Sequence, residues 1–454
     1  MDKWKFAEHQ IEGKVYMDSN DCLAIFYQAG CGKTALALWW VRDAIRKGEI
    51  VRALVVCPAS IVPSWENGIE DMIKFEGFDE KDVALLKERV VITSFQKTYH
   101  TDKVPVHHRD GHTTFKKSTS LRPAVDRNWG AVIIDESHCI GAHDSKQTKA
   151  AITLSKLATR RFILSGTPTH GSSGGADYSK LYGQFQFLTQ GRLWKGWTDF
   201  KQRSVVSVDP WGNPYRYNNE YCRNLMANYS IVCRLEDCFD MPGTRDVVMD
   251  CPLKETKVYK DLKDNNLEPY GLDITVAGGQ YIKMLQVCSG SMKRQEDTMD
   301  LKTSKMDVLQ NILEGTDDKV VIFCNFRASI DKCAALCKKI GIRYGVFDGR
   351  STRATWKDLV SGQIDVLICQ YQSGGVGLNL QISHTEVLFE PCLSTLLLEQ
   401  ARGRIYRAGQ DRKCLYYILD TPKTLEHKVW NAVRSGMDVS NTLLEKLAHS
   451  EDVI

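Results

Sequence analysis

Residues 22–34 read CLAIFYQAGCGKT, a short apolar run followed by a glycine-containing turn and the start of an alanine- and leucine-rich segment. The run 22–27 is apolar throughout, as a parallel strand buried on both faces requires. Gly30 and Gly32 permit a tight turn, and Lys33 and Thr34 open the predicted helix. This order of strand, turn and helix predicts an α/β fold built on a parallel sheet.

The glycine turn has the composition of a phosphate-binding loop. Glycines let backbone N–H groups close around a phosphate, and the following helix N-terminus adds positive potential. Lys33 is predicted to reach the β and γ phosphates of a nucleotide, and the Thr34 hydroxyl to ligate Mg²⁺. Tyr27 stands where the full motif has its first glycine. A glycine turn with an exposed lysine therefore stays open as an alternative at this point.

A second chemical motif lies at residues 131–138, AVIIDESH. In α/β sheets, ligands bind at the carboxyl ends of strands, so the acidic pair is expected to meet the loop at Lys33. Asp135 is predicted to hold Mg²⁺, and Glu136 to orient or deprotonate an attacking water. An acidic turn without function is the alternative, and the order of the two motifs along the chain disfavours it.

The chain reads as two series of short apolar strands that alternate with amphipathic stretches, which predicts two doubly wound lobes. We assign the lobes to residues 1–240 and 241–454, with Pro242-Gly243 near the crossing and a helical insertion at about 253–300. The predicted strands are 22–27, 53–57, 89–93, 131–135 and 161–165 in the first half, and 319–324, 343–347, 365–369, 386–389 and 414–419 in the second.

The composition is that of a soluble globular protein of two to three domains, with 454 residues, 43% hydrophobic and 26% charged. A net charge of +4 neither demands nor excludes a polyanionic partner. No apolar run reaches the roughly 20 residues of a membrane span, and the N-terminus lacks the pattern of a signal peptide. We therefore expect no membrane partner.

Fifteen cysteines are scattered singly, often inside apolar runs, which predicts buried thiols in a reducing cytoplasm and no disulfide framework. Four of them, Cys222, Cys233, Cys238 and Cys251, fall within one stretch. Because no C-x₂-C knuckle is present, no zinc site is expected.

Further strings, together with the two motifs above, resemble those of the Swi/Snf branch of superfamily-two helicases, which are DNA-dependent ATPases. They are LVVCPAS (54–60) followed by Trp65, VITSF (91–95), LSGTP (164–168, similar to motif III), CRLED (233–237), VVIFCNF (320–326, similar to motif IV), FDG (347–349), SGGVGLNL (373–380) and QARGRIYRAGQ (400–410). The last two match the family's motifs V and VI nearly residue for residue. One departure is the pair Tyr27-Gln28, where the family has two acidic residues.

The resemblance implies two RecA-like lobes with helical protrusions between motifs III and IV, and a motor that hydrolyses ATP to ADP and phosphate with Mg²⁺. It implies that Gln10 reads adenine and that Gln400 also lies at the nucleotide. Arg404 and Arg407 are three residues apart, so on a helix they would share a face. The resemblance assigns both to the developing charge of the γ-phosphate, where planar guanidinium groups fit phosphate oxygens.

The track implied by the resemblance is duplex or branched DNA, held without sequence preference. Contacts to phosphates from backbone N–H groups and hydroxyls carry little sequence information, as a motor requires. The residues expected to make them are Ser60, Ser94, Asn325 and Ser373. The size of the chain favours a genome-maintenance protein in the cytoplasm of a bacterium or of a virus-infected host cell.

Residues 98–129 form a long stretch with a net charge of +3 and no clear pattern, placed just before the acidic motif. The stretch is either a functional loop that contacts a duplex or junction through Lys116 and Lys117, or a mobile polar loop. Two rival functions stay open: a strand-separating helicase, for which this stretch would supply the wedge, and an ATP-gated nucleic-acid clamp with little turnover.

Overall fold

The computed structural model describes residues 3–107, 113–172, 175–208, 214–272, 279–350, 356–374 and 378–449. The chain divides into two compact units, Met1–Phe239 and Asp240–Ile454. No helix in these described ranges is both long enough and apolar enough to cross a membrane.

The first unit contains strands and helices in alternation. Its strands are β1 (Cys22–Tyr27), β2 (Ala53–Cys57), β3 (Val90–Ser94), β4 (Tyr99–His107), β5 (Thr113–Leu121), β6 (Trp129–Asp135), β7 (Ala158–Leu164), β8 (His170–Ser172), β9 (Gly175–Asp177), β10 (Val205–Val208), β11 (Pro214–Tyr217) and β12 (Ser230–Cys233). Its helices are α1 (Glu8–Ser19), α2 (Lys33–Arg46), α3 (Val62–Asp71), α4 (Glu80–Arg89), α5 (Lys146–Ser155), α6 (Leu181–Leu188), α7 (Trp197–Ser204), α8 (Asn219–Tyr229) and α9 (Leu235–Cys238).

Six strands form the central parallel sheet of this unit, in the order β12-β1-β7-β6-β2-β3. The five strands predicted from sequence are confirmed. The sixth, β12, was not predicted because its apolar run, Ile231 to Cys233, is only three residues long, which is shorter than a buried strand usually shows. Since all six strands are parallel, the carboxyl ends of β1, β7 and β6 lie side by side at one edge.

The stretch at 98–129 is a β-hairpin, which corrects its interpretation as an irregular loop. β4 and β5 pair antiparallel over nine residues, from Tyr99 opposite Leu121 to His107 opposite Thr113. The hairpin was not predicted because Pro105 lies within β4, and a proline argues against a strand in the interior of a sheet. A two-stranded ribbon tolerates proline because its outer edges are unpaired. The predicted contact residues Lys116 and Lys117 lie in β5, and residues 108–112, between the two strands, lie outside the described residues.

The second unit repeats the α/β design. Its strands are β13 (Thr244–Asp250), β14 (Ser291–Lys293), β15 (Thr298–Asp300), β16 (Val320–Cys324), β17 (Tyr344–Phe347), β18 (Val366–Gln370), β19 (Thr385–Leu388) and β20 (Cys414–Asp420). Its helices are α10 (Thr256–Lys263), α11 (Gly279–Cys288), α12 (Lys305–Glu314), α13 (Arg327–Lys339), α14 (Trp356–Val360), α15 (Tyr371–Gly374), α16 (Thr395–Arg402), α17 (Leu425–Arg434) and α18 (Asn441–His449).

The sheet of the second unit is also six-stranded and parallel, in the order β13-β20-β19-β16-β18-β17. The five predicted strands are confirmed, and β13 at the edge is the additional one. Helices α10 and α11, with the small hairpin β14–β15, lie within 253–300, where a helical insertion was expected. The α/β fold class with two doubly wound parallel-sheet lobes is thus confirmed.

Candidate active site

The phosphate loop follows β1 and leads directly into α2. Gly30 and Gly32 have φ angles of 97° and 73°, in the left-handed region that side chains disfavour, and Gly32 caps the helix. The ammonium of Lys33 donates to the carbonyl oxygens of Tyr27 at 2.6 Å and Gln28 at 3.3 Å. The loop therefore holds its lysine within the turn, next to the helix N-terminus where phosphate binding is favoured.

Asp135 ends β6 at the same edge of the sheet. Its carboxylate is buried and accepts hydrogen bonds from the indole N–H of Trp65 at 2.8 Å and the backbone N–H of Glu136 at 2.9 Å. Burial, then the neighbouring charge of Glu136, raises the pKa of Asp135 to about 6, while Lys33 acts to lower it. Because β1 and β6 flank β7 in the parallel sheet, the phosphate loop and the acidic motif lie at the same edge, and Lys33 is close enough to influence the pKa of Asp135.

Glu136 has a backbone geometry that is rare for a residue with a side chain. Its φ of 50° and ψ of 53° are left-handed, so the chain turns sharply at the residue predicted to activate water. One carboxylate oxygen, Oε2, lies 3.3 Å from Nδ1 of His138. Strained backbone at such a position is typical of functional sites.

Motif III is connected to this acidic turn by a buried side chain that the sequence did not single out. The hydroxyl of Ser137 donates to Oε1 of Gln184 at 2.7 Å, and Nε2 of Gln184 donates to the carbonyl of Pro168 at 2.8 Å. Gln184 lies in α6, far along the chain, so no local pattern marks it. The two bonds hold the segment after β7 to the segment after β6.

Gly166 of motif III packs against the phosphate loop. A Cβ at this position would lie 3.3 Å from the backbone nitrogen of Ala29 and 3.6 Å from the carbonyl oxygen of Tyr27. A larger side chain would crowd the loop. The phosphate loop, the acidic turn at Asp135 and Glu136, and motif III thus lie together at one edge of the sheet.

Helix α1 brings Gln10 to the phosphate loop. Oε1 of Gln10 accepts a hydrogen bond from the backbone of Ala7 at 2.9 Å, and Nε2 donates to the carbonyl of Gly32 at 3.2 Å. Both ends of the amide are therefore engaged within the protein. Its predicted adenine contact stays a prediction and requires at least one of these bonds to be exchanged.

The departure Tyr27-Gln28 has a structural role at the same place. The Tyr27 hydroxyl donates to the carbonyl of His9 at 2.8 Å, which fixes the start of α1. The backbone N–H of Gln28 donates to Cys233, and its side-chain oxygen accepts from the N–H of Leu235, both at 2.9 Å. These two residues dock α1 and the segment after β12 onto the phosphate loop.

The residues predicted to contact nucleic acid in the first unit differ in accessibility. Ser60 is exposed in the turn after β2, whereas Ser94 is buried at the end of β3. Lys116 and Lys117 lie in β5, opposite Val104 and Lys103 in the register of the hairpin. These assignments stay predictions, and the hydroxyl of Ser94 is poorly placed for one.

In the second unit, the two motif VI arginines converge on one carbonyl group. Nη1 of Arg404 and Nη1 of Arg407 donate to the carbonyl of Leu378, at 3.2 Å and 3.0 Å, and Nε of Arg404 donates to that of Gln400 at 2.9 Å. The prediction that both arginines share a helix face is wrong, since α16 ends at Arg402 and the chain continues in turns. They are brought together by motif V instead; its residues 375–377 lie outside the described residues.

Gln400 and Arg404 are both largely buried, whereas Arg407 is half-buried. The backbone carbonyl of Gln400 accepts a hydrogen bond from Arg404 and so helps to position that side chain. Its predicted place at the nucleotide stays a prediction. Of the two arginines, Arg407 has the more accessible side chain.

Beneath motif VI lies Glu386 on β19, a fully buried carboxyl group. Neither of its oxygens has a hydrogen-bond partner among the residues that the structure describes. Burial raises the pKa of Glu386 to about 8, although Arg402 and Arg404 act to lower it. The group is therefore protonated at neutral pH.

This raised pKa predicts a pH-dependent stability. Between the ordinary glutamate value and about pH 8 the unfolded chain has released the proton that the folded chain retains, so stability falls as pH rises. Glu386→Gln should remove this slope and stabilise the protein at pH 8, relative to pH 5, by a few kcal/mol. Urea unfolding at both pH values measures it. Parallel pH profiles for wild type and variant would contradict the assignment.

Asn325 and Ser373, the predicted phosphate contacts of the second unit, are both half-buried. The backbone N–H groups of Asn325 and Phe326 donate to the buried carboxylate of Glu390 at 2.9 Å and 2.8 Å. Asn325 also lines an open cavity of about 660 Å³. The Ser373 hydroxyl lies against the FDG turn, 3.7 Å from where a Cβ of Gly349 would be.

The prediction that all cysteines are unpaired is wrong for Cys233 and Cys238. The structure joins these two sulfurs, and His9 lies beside them. The proximity arises because β12 pairs with β1 and because Gln28 holds the following segment in place. No spacing in the sequence indicates that a histidine near residue 9 completes the group.

Two family models match the chain and together span most of both units. The SNF2-related domain matches residues 9–267, and the helicase conserved C-terminal domain matches residues 304–409. The first covers more than half of the chain. The chain belongs to the SNF2-related family.

Curated relatives of this SNF2-related chain come from distant organisms. It is 24% identical to DNA repair protein rhp54 of Schizosaccharomyces pombe, over 97% of this chain and 58% of that protein. It is 25% identical to a probable global transactivator of Orgyia pseudotsugata multicapsid polyhedrosis virus, over 83% and 78% of the two chains. It is 23% identical to the uncharacterized ATP-dependent helicase YqhH of Bacillus subtilis, over 93% and 76%.

Among solved structures, the SNF2-related chain is similar to the Sulfolobus solfataricus SWI2/SNF2 ATPase core in complex with dsDNA. The two share 19% identity, with a TM-score of 0.41 over 99% of this chain and 96% of that one. The family models confirm the predicted Swi/Snf resemblance and the class of helicase-like ATPase.

Proposed function

We propose that this SNF2-related chain is an ATP-dependent translocase that hydrolyses ATP while it moves along duplex or branched DNA. The observation that carries the proposal is the phosphate loop beside the buried Asp135 and the strained Glu136. A protein that binds a nucleotide without hydrolysing it has no need for a water-activating acid at this edge. Relatives named as DNA repair proteins and as an ATP-dependent helicase support the same function.

The residues of the phosphate loop fit ATP and Mg²⁺. Gly30 and Gly32 leave the loop open for backbone contacts to phosphates, and Lys33 is hydrogen-bonded within it. Thr34 at the start of α2 and Asp135, with its buried carboxylate, are suited to hold Mg²⁺, which would neutralise charge on the phosphates. Trp65 fixes one carboxylate oxygen of Asp135 in place.

Each catalytic side chain has a distinct proposed role. Lys33 contacts the β and γ phosphates, and Glu136 orients the attacking water and accepts its proton. Arg407, assisted by Arg404, stabilises negative charge that develops on the transferred phosphoryl group. Gln10 would position the base. We assign residues 1–240 as the ATP-binding lobe and 241–454 as the C-terminal lobe.

DNA contact in the second unit is proposed for the cavity that Asn325 lines. Exposed Arg327 and Lys293 and the half-buried Lys332 lie along the same cavity. Asp331 also lines it, as does Asp300, which pairs with Lys332, so the cations exceed the acids by one. These cations suit the sugar-phosphate backbone, which carries the same charge at every nucleotide and so permits movement without sequence preference. Ser373, next to the FDG turn, would add a hydroxyl contact.

Measurement of ATP hydrolysis tests the proposal directly. The purified chain is assayed without nucleic acid and with single-stranded DNA, duplex DNA, forked DNA or RNA. Strong stimulation by duplex or fork supports translocation on DNA. Stimulation by single strands or RNA alone favours the strand-separating alternative, and tight DNA binding without hydrolysis favours the clamp.

Strand separation is a second candidate function, favoured by the hairpin β4–β5. Phe115 on β5 is 66% exposed, and an exposed aromatic ring on a hairpin is suited to stack on a base at a junction. In an unwinding assay on forked DNA, Phe115→Ala should reduce strand separation and leave duplex-stimulated ATPase unchanged. An intact unwinding rate in this variant would exclude the wedge role.

The hairpin also predicts a measurable electrostatic contribution to DNA binding. Lys116→Gln/Lys117→Gln should weaken the dependence of affinity on salt by up to about 0.9 in log–log slope for each phosphate that the two lysines neutralise. Lys338→Gln/Lys339→Gln, with the same charge change at exposed positions of α13, is the matched control. Binding isotherms at several salt concentrations measure the slope. Equal slopes for both double variants would rule out a hairpin contact.

A further inference from the structure

Three potential metal ligands lie together beside the phosphate loop. The ligand atoms of His9, Cys233 and Cys238 all lie within 4.8 Å of one another. His9 is in the first turn of α1, Cys233 ends β12 and Cys238 ends α9. Cys233 is buried, and the other two are half-buried. One imidazole and two thiolates form a ligand set that selects Zn²⁺ over hard cations such as Mg²⁺ or Ca²⁺.

The two cysteines are spaced better for a shared ion than for a disulfide. Their Cα atoms lie 7.2 Å apart. Disulfides usually span about 4.4 to 6.8 Å between Cα atoms, so this backbone separation is wider than a sulfur–sulfur bond favours. The sulfur atoms of two thiolates bound to one ion lie further apart than those of a disulfide, which suits the wider separation of the Cα atoms. The spacing C-x₄-C also falls within the range of zinc-binding pairs.

His9 is oriented as a metal-ligating histidine commonly is. Its Nε2 lies 3.0 Å from the carbonyl oxygen of Cys31 in the phosphate loop. If Nε2–H donates to this carbonyl, Nδ1 carries the lone pair that a metal ion requires. A hydrogen bond from the second ring nitrogen to a backbone carbonyl is the usual support for such a ligand. The rings of Tyr27 and Phe239 pack edge-on against the imidazole, with centroids 5.6 Å and 5.5 Å away.

We propose that His9, Cys233 and Cys238 bind one Zn²⁺ ion, with a water molecule completing the tetrahedron. The ion would fasten α1 and the segment 233–238 to the same loop. Both sides of the site already contact that loop, His9 through the carbonyl of Cys31 and the cysteine segment through Gln28. Binding displaces the thiol protons, so zinc affinity falls as pH is lowered.

The zinc site is expected to affect ATP binding, and this expectation rests on the proposed function. The carbonyl oxygen of Cys31, in the phosphate loop, lies 3.0 Å from Nε2 of His9, so an ion that holds His9 also orders this loop. Ordering the loop before ATP binds reduces the entropic cost of binding. The zinc-loaded chain should therefore bind ATP more tightly than the metal-free chain.

Zinc binding by the full chain tests the proposal. Reduced protein is stripped of metal under anaerobic conditions and titrated with Zn²⁺ against a chromophoric chelator, and Co²⁺ serves as a spectroscopic probe. We expect one ion per chain and the visible absorption bands of tetrahedral, thiolate-bound Co²⁺. Cys238→Ser and His9→Ala should each lower Zn²⁺ affinity by about 100-fold or more.

Cys22→Ser is the matched control, because Cys22 is half-buried at the opposite end of β1 from the cluster. It should bind Zn²⁺ as wild type does. A Cys233–Cys238 disulfide that resists reduction by a thiol reductant, or wild-type protein without thiolate–cobalt bands, would overturn the site, and neither result depends on how a variant folds. ATP affinities with and without zinc test the coupling: equal values remove it, and zinc binding without any ATP binding contradicts the proposed function alone.

Discussion

Replacing Arg407 with alanine is expected to lower the DNA-stimulated rate of ATP hydrolysis by about 10³-fold, the lower end of the range for arginine fingers. The guanidinium group is planar and always charged, so it can meet two phosphate oxygens at once. Its hydrogen bond to the Leu378 carbonyl orients it, and its side chain is the more accessible of the two motif VI arginines. The rate is measured as phosphate released at fixed time points at saturating ATP and DNA.

The controls separate charge, geometry and stability. Arg407→Lys keeps the positive charge but lacks the planar guanidinium group, so its rate should lie between those of wild type and Arg407→Ala. Arg412→Ala removes an exposed arginine that pairs with Asp318 at 2.6 Å and should hydrolyse ATP nearly as wild type does. Arg404 is a poorer probe, because it is buried and its removal would also disturb folding. A rate for Arg407→Ala within tenfold of wild type would contradict its proposed role.

The central strands of both sheets were predictable because burial on two faces leaves a plain apolar signature. β1 and β6 are buried over nearly all their residues, and the glycines and acids that follow them identify the catalytic edge. The outer strands β12 and β13 were missed because each has only three consecutive apolar residues, which is a shorter run than a buried strand usually shows. Pairing with a neighbour, rather than local composition, makes them strands.

Contacts between residues that are distant in the sequence limit how much of the site could be predicted. Nothing near Asp135 indicates that Trp65 will donate to its carboxylate, or near Pro168 that Gln184 will hold it. The grouping of Arg404 with Arg407 was correct, but the reason was not: a carbonyl of motif V, rather than a helix face, brings them together. Sequence motifs thus identify which groups act, whereas tertiary hydrogen bonds determine how each is held.

The Cys233–Cys238 pair illustrates the same limit. Each cysteine lies in a segment without a metal-binding knuckle, and the expectation of isolated thiols follows from that absence. The pair forms because a parallel edge strand delivers Cys233 to the end of β1, beside α1 and its histidine. Of the proposed ligand set, the sequence shows the C-x₄-C spacing of the two cysteines, whereas the histidine comes from a distant element that no local pattern connects to them.

Glu136→Gln is expected to lower the rate of ATP hydrolysis by about 10²- to 10⁴-fold while ATP binding is retained. Glutamine has the same shape and can occupy the same turn, but it cannot accept the proton of the attacking water. The negative charge of Glu136 helps to raise the pKa of Asp135 to about 6, so its removal lowers that pKa. Asp135 is then more fully ionised, and the variant should not lose affinity for Mg²⁺ and ATP.

Two measurements on this variant separate chemistry from binding: single-turnover hydrolysis, and the dissociation constant of ATP with Mg²⁺. Glu66→Gln, an exposed glutamate in α3, is the matched control and should change neither quantity. Slow hydrolysis with unchanged ATP affinity supports Glu136 as the water-activating acid. If hydrolysis slows and the dissociation constant of ATP rises together, the acid is needed to form the site, and if neither changes, another group activates the water. Because glutamine preserves shape, only the first result agrees with the proposed mechanism.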